Sequence, residues 1–456
     1  MKKMFFFALA AAGMLTACSN DDTLGGNGEQ NASEQQIRLG VASSKVQTRG
    51  TGTVGGMTDA ENKWAGQTLW VYMLQKGSME LGYYKTPDDA ATAAVGTAVF
   101  DNKEFKAPNT AASTVSGLAT TADGAIAYYP VSGNYDFWGY RVDDAVTLVD
   151  NGNGVMVPDV KTVDDTDVEV GEGEATKRVV TIKINGSQDI MAGKAVPSST
   201  DSTNLGTYKD NSYSAYAARK GVQPNITFNH LLTRFTFEVR AGSKATAGAG
   251  ASGNTEAVRV QGISVESLTD GKLTVAYKGE TKKAADLLTF TGNASPLKLQ
   301  QRSTTAVDNN DPLVALEEVA LTWPADADAT VGDVLPVGEA LLVAPGQTEY
   351  PLTIALAQKV KKNTTAADKE DMDLEQKATI KMDGVKAFEP GKSYKVTITV
   401  YGLEEIEVTA TLVPWADGGS IDIDDDRDPN NGYWLWSYSR LSVLAVVRIA
   451  VVVDID

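Results

Sequence analysis

Imidazole and thiol are almost missing from this chain: 456 residues include one histidine, His230, and one cysteine, Cys18. Zinc sites and the common acid–base dyads need imidazole as ligand or base, so no metal and no catalytic residue is expected. With no second thiol, the chain cannot be stapled by an internal disulfide and must rely on packing. His230 reads as a structural hydrogen-bonding group at the mouth of a strand. Positive charge is also scarce, with 41 Lys and Arg against 59 Asp and Glu and a formal net charge of −18. Repulsion of that size disfavours nucleic acid and anionic lipid as partners. No phosphate-cradling Gly-rich loop with its Lys-Ser/Thr ending occurs, so no nucleotide cofactor is expected. The acidic run Asp422–Asp428 lacks the glycine and distal glutamate of a calcium loop and reads as a solvated hinge. Fixed-period repeats are absent, which excludes solenoids and propellers.

The N-terminus is more informative. Lys2 and Lys3 precede an apolar run from Met4 to Leu15 that closes on Leu15-Thr16-Ala17-Cys18. The run is too short to span a bilayer, and its charged front is that of an export signal. The small residues before the single thiol mark residues 1–17 as a lipoprotein signal peptide and Cys18 as the acylation site. Lipid chains contribute about 0.8 kcal/mol per buried methylene, so an acylated Cys18 would anchor the chain to a membrane. From Ser19 to Gln36 the sequence is polar and Gly-rich, the composition of a flexible tether.

Beyond the tether, 42 glycines and many Thr, Val and Ala residues point to short strands joined by turns, an all-β fold. In Ile37-Arg38-Leu39-Gly40-Val41 the odd positions are apolar and share one face of an extended segment. Thr48-Arg49-Gly50 follows in a Gly-rich loop open to trypsin-like cleavage. Strands are expected at 68–74, 179–184, 258–265, 273–277, 340–343, 352–357, 378–382, 394–401 and 406–412, and in the stretch 226–239 Phe235, Phe237 and Val239 alternate as a strand should. The polar stretch 198–211 suggests a boundary near Gln223, giving units at 50–222 and 223–429. In the tail, 430–456, alternate residues are apolar: Leu441, Val443, Ala445, Val447, Ile449, Val451 and Val453. That is the pattern of a half-buried strand.

Several motifs together resemble the fimbrillins, lipoprotein precursors of protease-assembled pili. They are the Leu15–Cys18 lipobox, Thr48-Arg49-Gly50, Ala127-Tyr128-Tyr129-Pro130 and Phe137-Trp138-Gly139-Tyr140. Asp189-Ile190-Met191-Ala192, Phe228-Asn229-His230 with Arg234, Phe388 to Tyr394, and Val413-Pro414-Trp415 complete the set. The resemblance implies two β-sandwich domains of transthyretin-like topology and a lipid-anchored precursor bound for the outer membrane and then the cell-surface fimbrium. It also implies that an arginine-specific protease cuts between Arg49 and Gly50, removing 18–49 with the strand that carries Ile37, Leu39 and Val41. A groove is left, to be filled by an extended segment of an identical or related subunit. The Leu441–Val453 segment is the candidate donor, which suits a stalk subunit serving adhesion. The competing expectation is a monomeric surface lipoprotein whose Trp64, Trp70, Trp138 and Trp415 stack on glycans, and indole exposure separates the two.

Overall fold

The computed structural model describes residues between Gln36 and Val413, with gaps chiefly at 44–67, 85–96, 107–126, 164–176, 249–255, 303–312 and 362–368. Strands of four residues or more, numbered along the chain, begin with β1 (Gly40–Ser43), β2 (Thr68–Gln75), β3 (Lys103–Lys106), β4 (Tyr135–Val142) and β5 (Val160–Val163). Next come β6 (Lys177–Lys183), β7 (Ile190–Lys194), β8 (Asn225–His230), β9 (Thr233–Ala241), β10 (Arg259–Tyr277) and β11 (Leu288–Lys298). The series ends with β12 (Leu335–Val343), β13 (Tyr350–Lys361), β14 (Lys369–Ile380), β15 (Ser393–Val400) and β16 (Ile406–Val413). Among the described residues the longest helix is Ser199–Leu205, opened by a capping box between Ser198 and Asp201. The chain is all-β.

Three main sheets carry the structure. The first runs β1-β8-β7-β4-β2-β3, the second β14-β13-β10-β6-β5 with β11 also paired to β10, and the third β12-β9-β15-β16. The unbroken apolar run of β2, Thr68-Leu69-Trp70-Val71-Tyr72-Met73-Leu74, has a physical cause: in the middle of the first sheet, β2 and β4 are buried on both faces. Trp70, Tyr72 and Leu74 join Trp138 and Tyr140 of β4 in a core shared with Val180, Ile182, Leu273 and Val275 of the second sheet. Leu69, Val71 and Met73 face the other way, into a smaller core with Phe105, Phe137, Met191, Ile226 and Phe228.

The 19-residue β10 is the spine of the molecule. Its first part pairs with β13 and its last part with β6, while β11 pairs along its middle. Over the third sheet, Phe235 gathers Tyr350 at 5.2 Å and Phe388 at 5.4 Å, and Phe388 meets Tyr394 at 4.7 Å. The Phe-Glu-Pro-Gly-Lys-Ser-Tyr segment is thus a turn whose two end rings close on one β9 phenylalanine. The stretch 226–239 holds two strands, and the alternation read at Phe235, Phe237 and Val239 belongs to the second: the chain leaves the first sheet at His230 and enters the third at Thr233, with Leu231 and Leu232 buried between. This crossing lies beyond the expected boundary at 222/223, and β8 and the β10–β6 pairing both carry hydrogen bonds across that position.

Candidate functional site

The first sheet ends on a short strand with unusual attachments. β1 lies parallel to β8 in the register Gly40↔Asn225, Val41↔Ile226, Ala42↔Thr227 and Ser43↔Phe228, and β8 pairs on its far side with β7. Ile37, Leu39 and Val41 are 7, 4 and 3 % exposed and belong to the smaller core, whereas Arg38 between them faces solvent. The alternation read in the sequence therefore sends one face of this segment inward.

Backbone contacts hold its leading end from two sides. Ile37 N–H donates to the Ala127 carbonyl at 2.8 Å, and Gly40 N–H donates to the Pro224 carbonyl at 2.9 Å. Gln36 bridges to Tyr128 on the Ala127 side. Arg38 N–H donates to Gln223 Oε1 at 3.1 Å, and Gln223 Nε2 donates to the Gln36 carbonyl at 3.3 Å.

Beneath this edge, Ile226, Phe228 and His230 of β8 point inward together. Room for them comes from Gly139 and Gly193, which face each other across β4 and β7. A Cβ on Gly139 would stand 2.6 Å from Phe228 Cζ, and one on Gly193 would stand 2.1 Å from the Thr227 carbonyl oxygen. A side chain at Gly193 would require the β8 backbone to move, and one at Gly139 would require the Phe228 ring to shift.

At the end of the same row sits a buried charged cluster. Met191 of β7 is registered with Arg141 of β4 on one side and His230 of β8 on the other. Asp189, two residues earlier and fully buried, accepts from His230 Nδ1 at 3.0 Å and lies 3.9 Å from Arg141 Nη1. Burial alone would push the Asp189 carboxyl up, but His230, its hydrogen bond and Arg141 outweigh burial and hold it below the usual carboxylate range. The three side chains join β4, β8 and the residue before β7 at the end of the first sheet from which the chain passes into β9. His230 has the structural role expected of it, held by the Asp189 of a second motif. Nearby Arg234 donates from Nη1 to Ser393 Oγ at 3.1 Å. Burial lowers its pKa to about 10, opposed by Glu339 and Asp189.

Of the other positions singled out in the sequence, Cys18, Arg49, Gly50 and the tail positions Leu441, Val443, Ala445, Val447, Ile449, Val451 and Val453 lie outside the described residues, as do Trp64, Trp415 and the acidic run at 422–428. Trp70 and Trp138 are core residues, Trp70 stacking on Tyr140 at 5.6 Å, so neither offers a flat face to a sugar. Among the described residues no group of acidic, histidine or cysteine side chains is placed to hold a metal, and no helix is long and apolar enough to cross a membrane. Sequence reasoning used Gln223 only as a boundary marker. The proline after it was the available clue, because a strand that begins at proline lacks a ladder donor there.

No protein-family profile matches the chain, and no curated protein does. Solved structures similar to it include a candidate cell adhesion protein of Bacteroides uniformis, with 17% identity, coverage of 84% of this chain and 98% of that one, and a TM-score of 0.36. A fimbrial protein of Bacteroides vulgatus shares 12% identity over 84% of this chain and 99% of its own, with a TM-score of 0.41. The fimbrial anchor protein of Porphyromonas gingivalis shares 10% over 83% and 98%, with a TM-score of 0.26.

Proposed function

We propose that the chain is a non-catalytic subunit of a cell-surface fimbria, exported as a lipoprotein through Cys18. It assembles by strand exchange once an arginine-specific protease has cut between Arg49 and Gly50. The observation that carries this reading is the seating of β1: an edge strand, N-terminal to the cut, whose Ile37, Leu39 and Val41 complete a core built by the rest of the chain. After cleavage only non-covalent contacts retain it. Burial of three aliphatic side chains contributes roughly 5–9 kcal/mol gross. Ordering about eight residues costs about 8–16 kcal/mol, so the backbone hydrogen bonds decide whether the filler stays. Its departure bares one edge of β8 together with three apolar vacancies, the arrangement that β-augmentation fills. The occupant is a segment of a second copy, and the alternation from Leu441 to Val453 makes the tail the donor and the subunit a stalk component.

The test is direct. Treating the purified precursor with an arginine-specific protease should yield a chain beginning at Gly50 and ordered polymers, and deleting 433–456 should leave folded monomers. A native surface protein that stays intact through Arg49 and never associates would refute the reading.

A further inference from the structure

The hydrogen-bond ladder between β1 and β8 cannot run backwards past Pro224, which has no N–H to give. In a parallel pair, one residue bonds the carbonyl of one neighbour and the N–H of the neighbour two positions on. Continuing the register Gly40↔Asn225 backwards would set Val222 against Ile37, bonding the Gln36 carbonyl and the Arg38 N–H. Val222 cannot do so, because its N–H is committed to the Ala217 carbonyl at 3.0 Å, closing the end of the short helix Ala215–Arg219. The Gln223 side chain takes its place: its oxygen accepts from Arg38 N–H and its amide donates to the Gln36 carbonyl. A carboxamide carries the same donor and acceptor as a peptide group, so it continues the ladder by one step.

We propose that Gln223 is a main-chain clamp for whichever strand occupies the edge of β8, first the chain's own filler and then a segment of a second copy. This rests on the exchange reading above. Because the clamp touches only main-chain atoms, the incoming segment need not repeat Gln36-Ile37-Arg38. It must offer a free carbonyl and, two residues later, a free N–H, which bars proline from the place of Arg38.

Two measurements test the clamp. In the intact chain, Gln223→Ala should speed hydrogen exchange at the Arg38 amide about tenfold, the scale of one or two lost hydrogen bonds, and change the Gly40 amide much less. In the cleaved chain freed of residues 18–49, the probe is a synthetic peptide of residues 36–43. Gln223→Ala should weaken its binding about tenfold, as should an ester in place of the Arg38 amide, and the two changes together should cost little more than either. Unchanged exchange at Arg38, or fully additive losses, overturns the clamp. Faster Arg38 exchange in a protein that takes up no peptide overturns strand exchange instead, and with it the clamp's second occupant.

Discussion

Asp189 is the residue at which burial and pairing oppose each other most directly. Its carboxyl is held below the usual range, so it stabilises the fold wherever it is ionised in both folded and unfolded chains. That contribution is complete above the ordinary carboxylate range and is lost as pH falls through the depressed folded value. Asp189→Asn should therefore cost about 3–5 kcal/mol at neutral pH, the usual penalty for breaking a buried pair. Urea denaturation should show the gap between variant and parent closing as pH drops below about 4. Both partners lie within motifs that the sequence displays, and His230 stands out there as the one histidine of the chain. Their meeting across β7 and β8 follows from strand pairing, which residue spacing along the chain does not encode.

Among the elements, β1 closes the edge of the first sheet and β10 joins the strands of the second. Leu39→Ala should cost the intact precursor about 2–5 kcal/mol, because a buried leucine leaves a cavity. Once residues 18–49 have been cut away and released, the same substitution should cost nothing, and paired unfolding midpoints before and after proteolysis measure the difference. A cost that persists after cleavage means that the filler never left. The alternation Ile37, Leu39, Val41 was legible because its face is half-buried, the case in which period-two patterning is cleanest. β10 was legible only as its two ends, since Leu268-Thr269-Asp270-Gly271-Lys272 has the composition of a turn. It stays extended because neighbours hold it on both sides there: β6 registers with Asp270 and Gly271, and β11 with the same residues. β11 itself was missed, with Gly292 at φ +91° and mostly exposed side chains that offer no alternation to read.

For the molecule as a whole, charge would set the conditions of the proposed assembly. The full chain carries a formal −18, and removing residues 1–49 leaves the balance strongly acidic, so cleaved copies repel one another as they approach. Raising ionic strength from about 0.01 M to about 0.15 M shortens the screening length from roughly 30 to 8 Å. Light scattering of the cleaved protein should then show polymers forming about tenfold faster, whereas slower growth in salt would mean that subunits are brought together by attraction between opposite charges. Assembly itself can be followed without any added label. The only imidazole in the molecule belongs to β8, whose outer edge pairs with β1. Its ring carries two carbon-bound protons, so each state of this edge should contribute one Hε1 and one Hδ2 resonance, and a change of strand at β8 should be read as a shift of that pair.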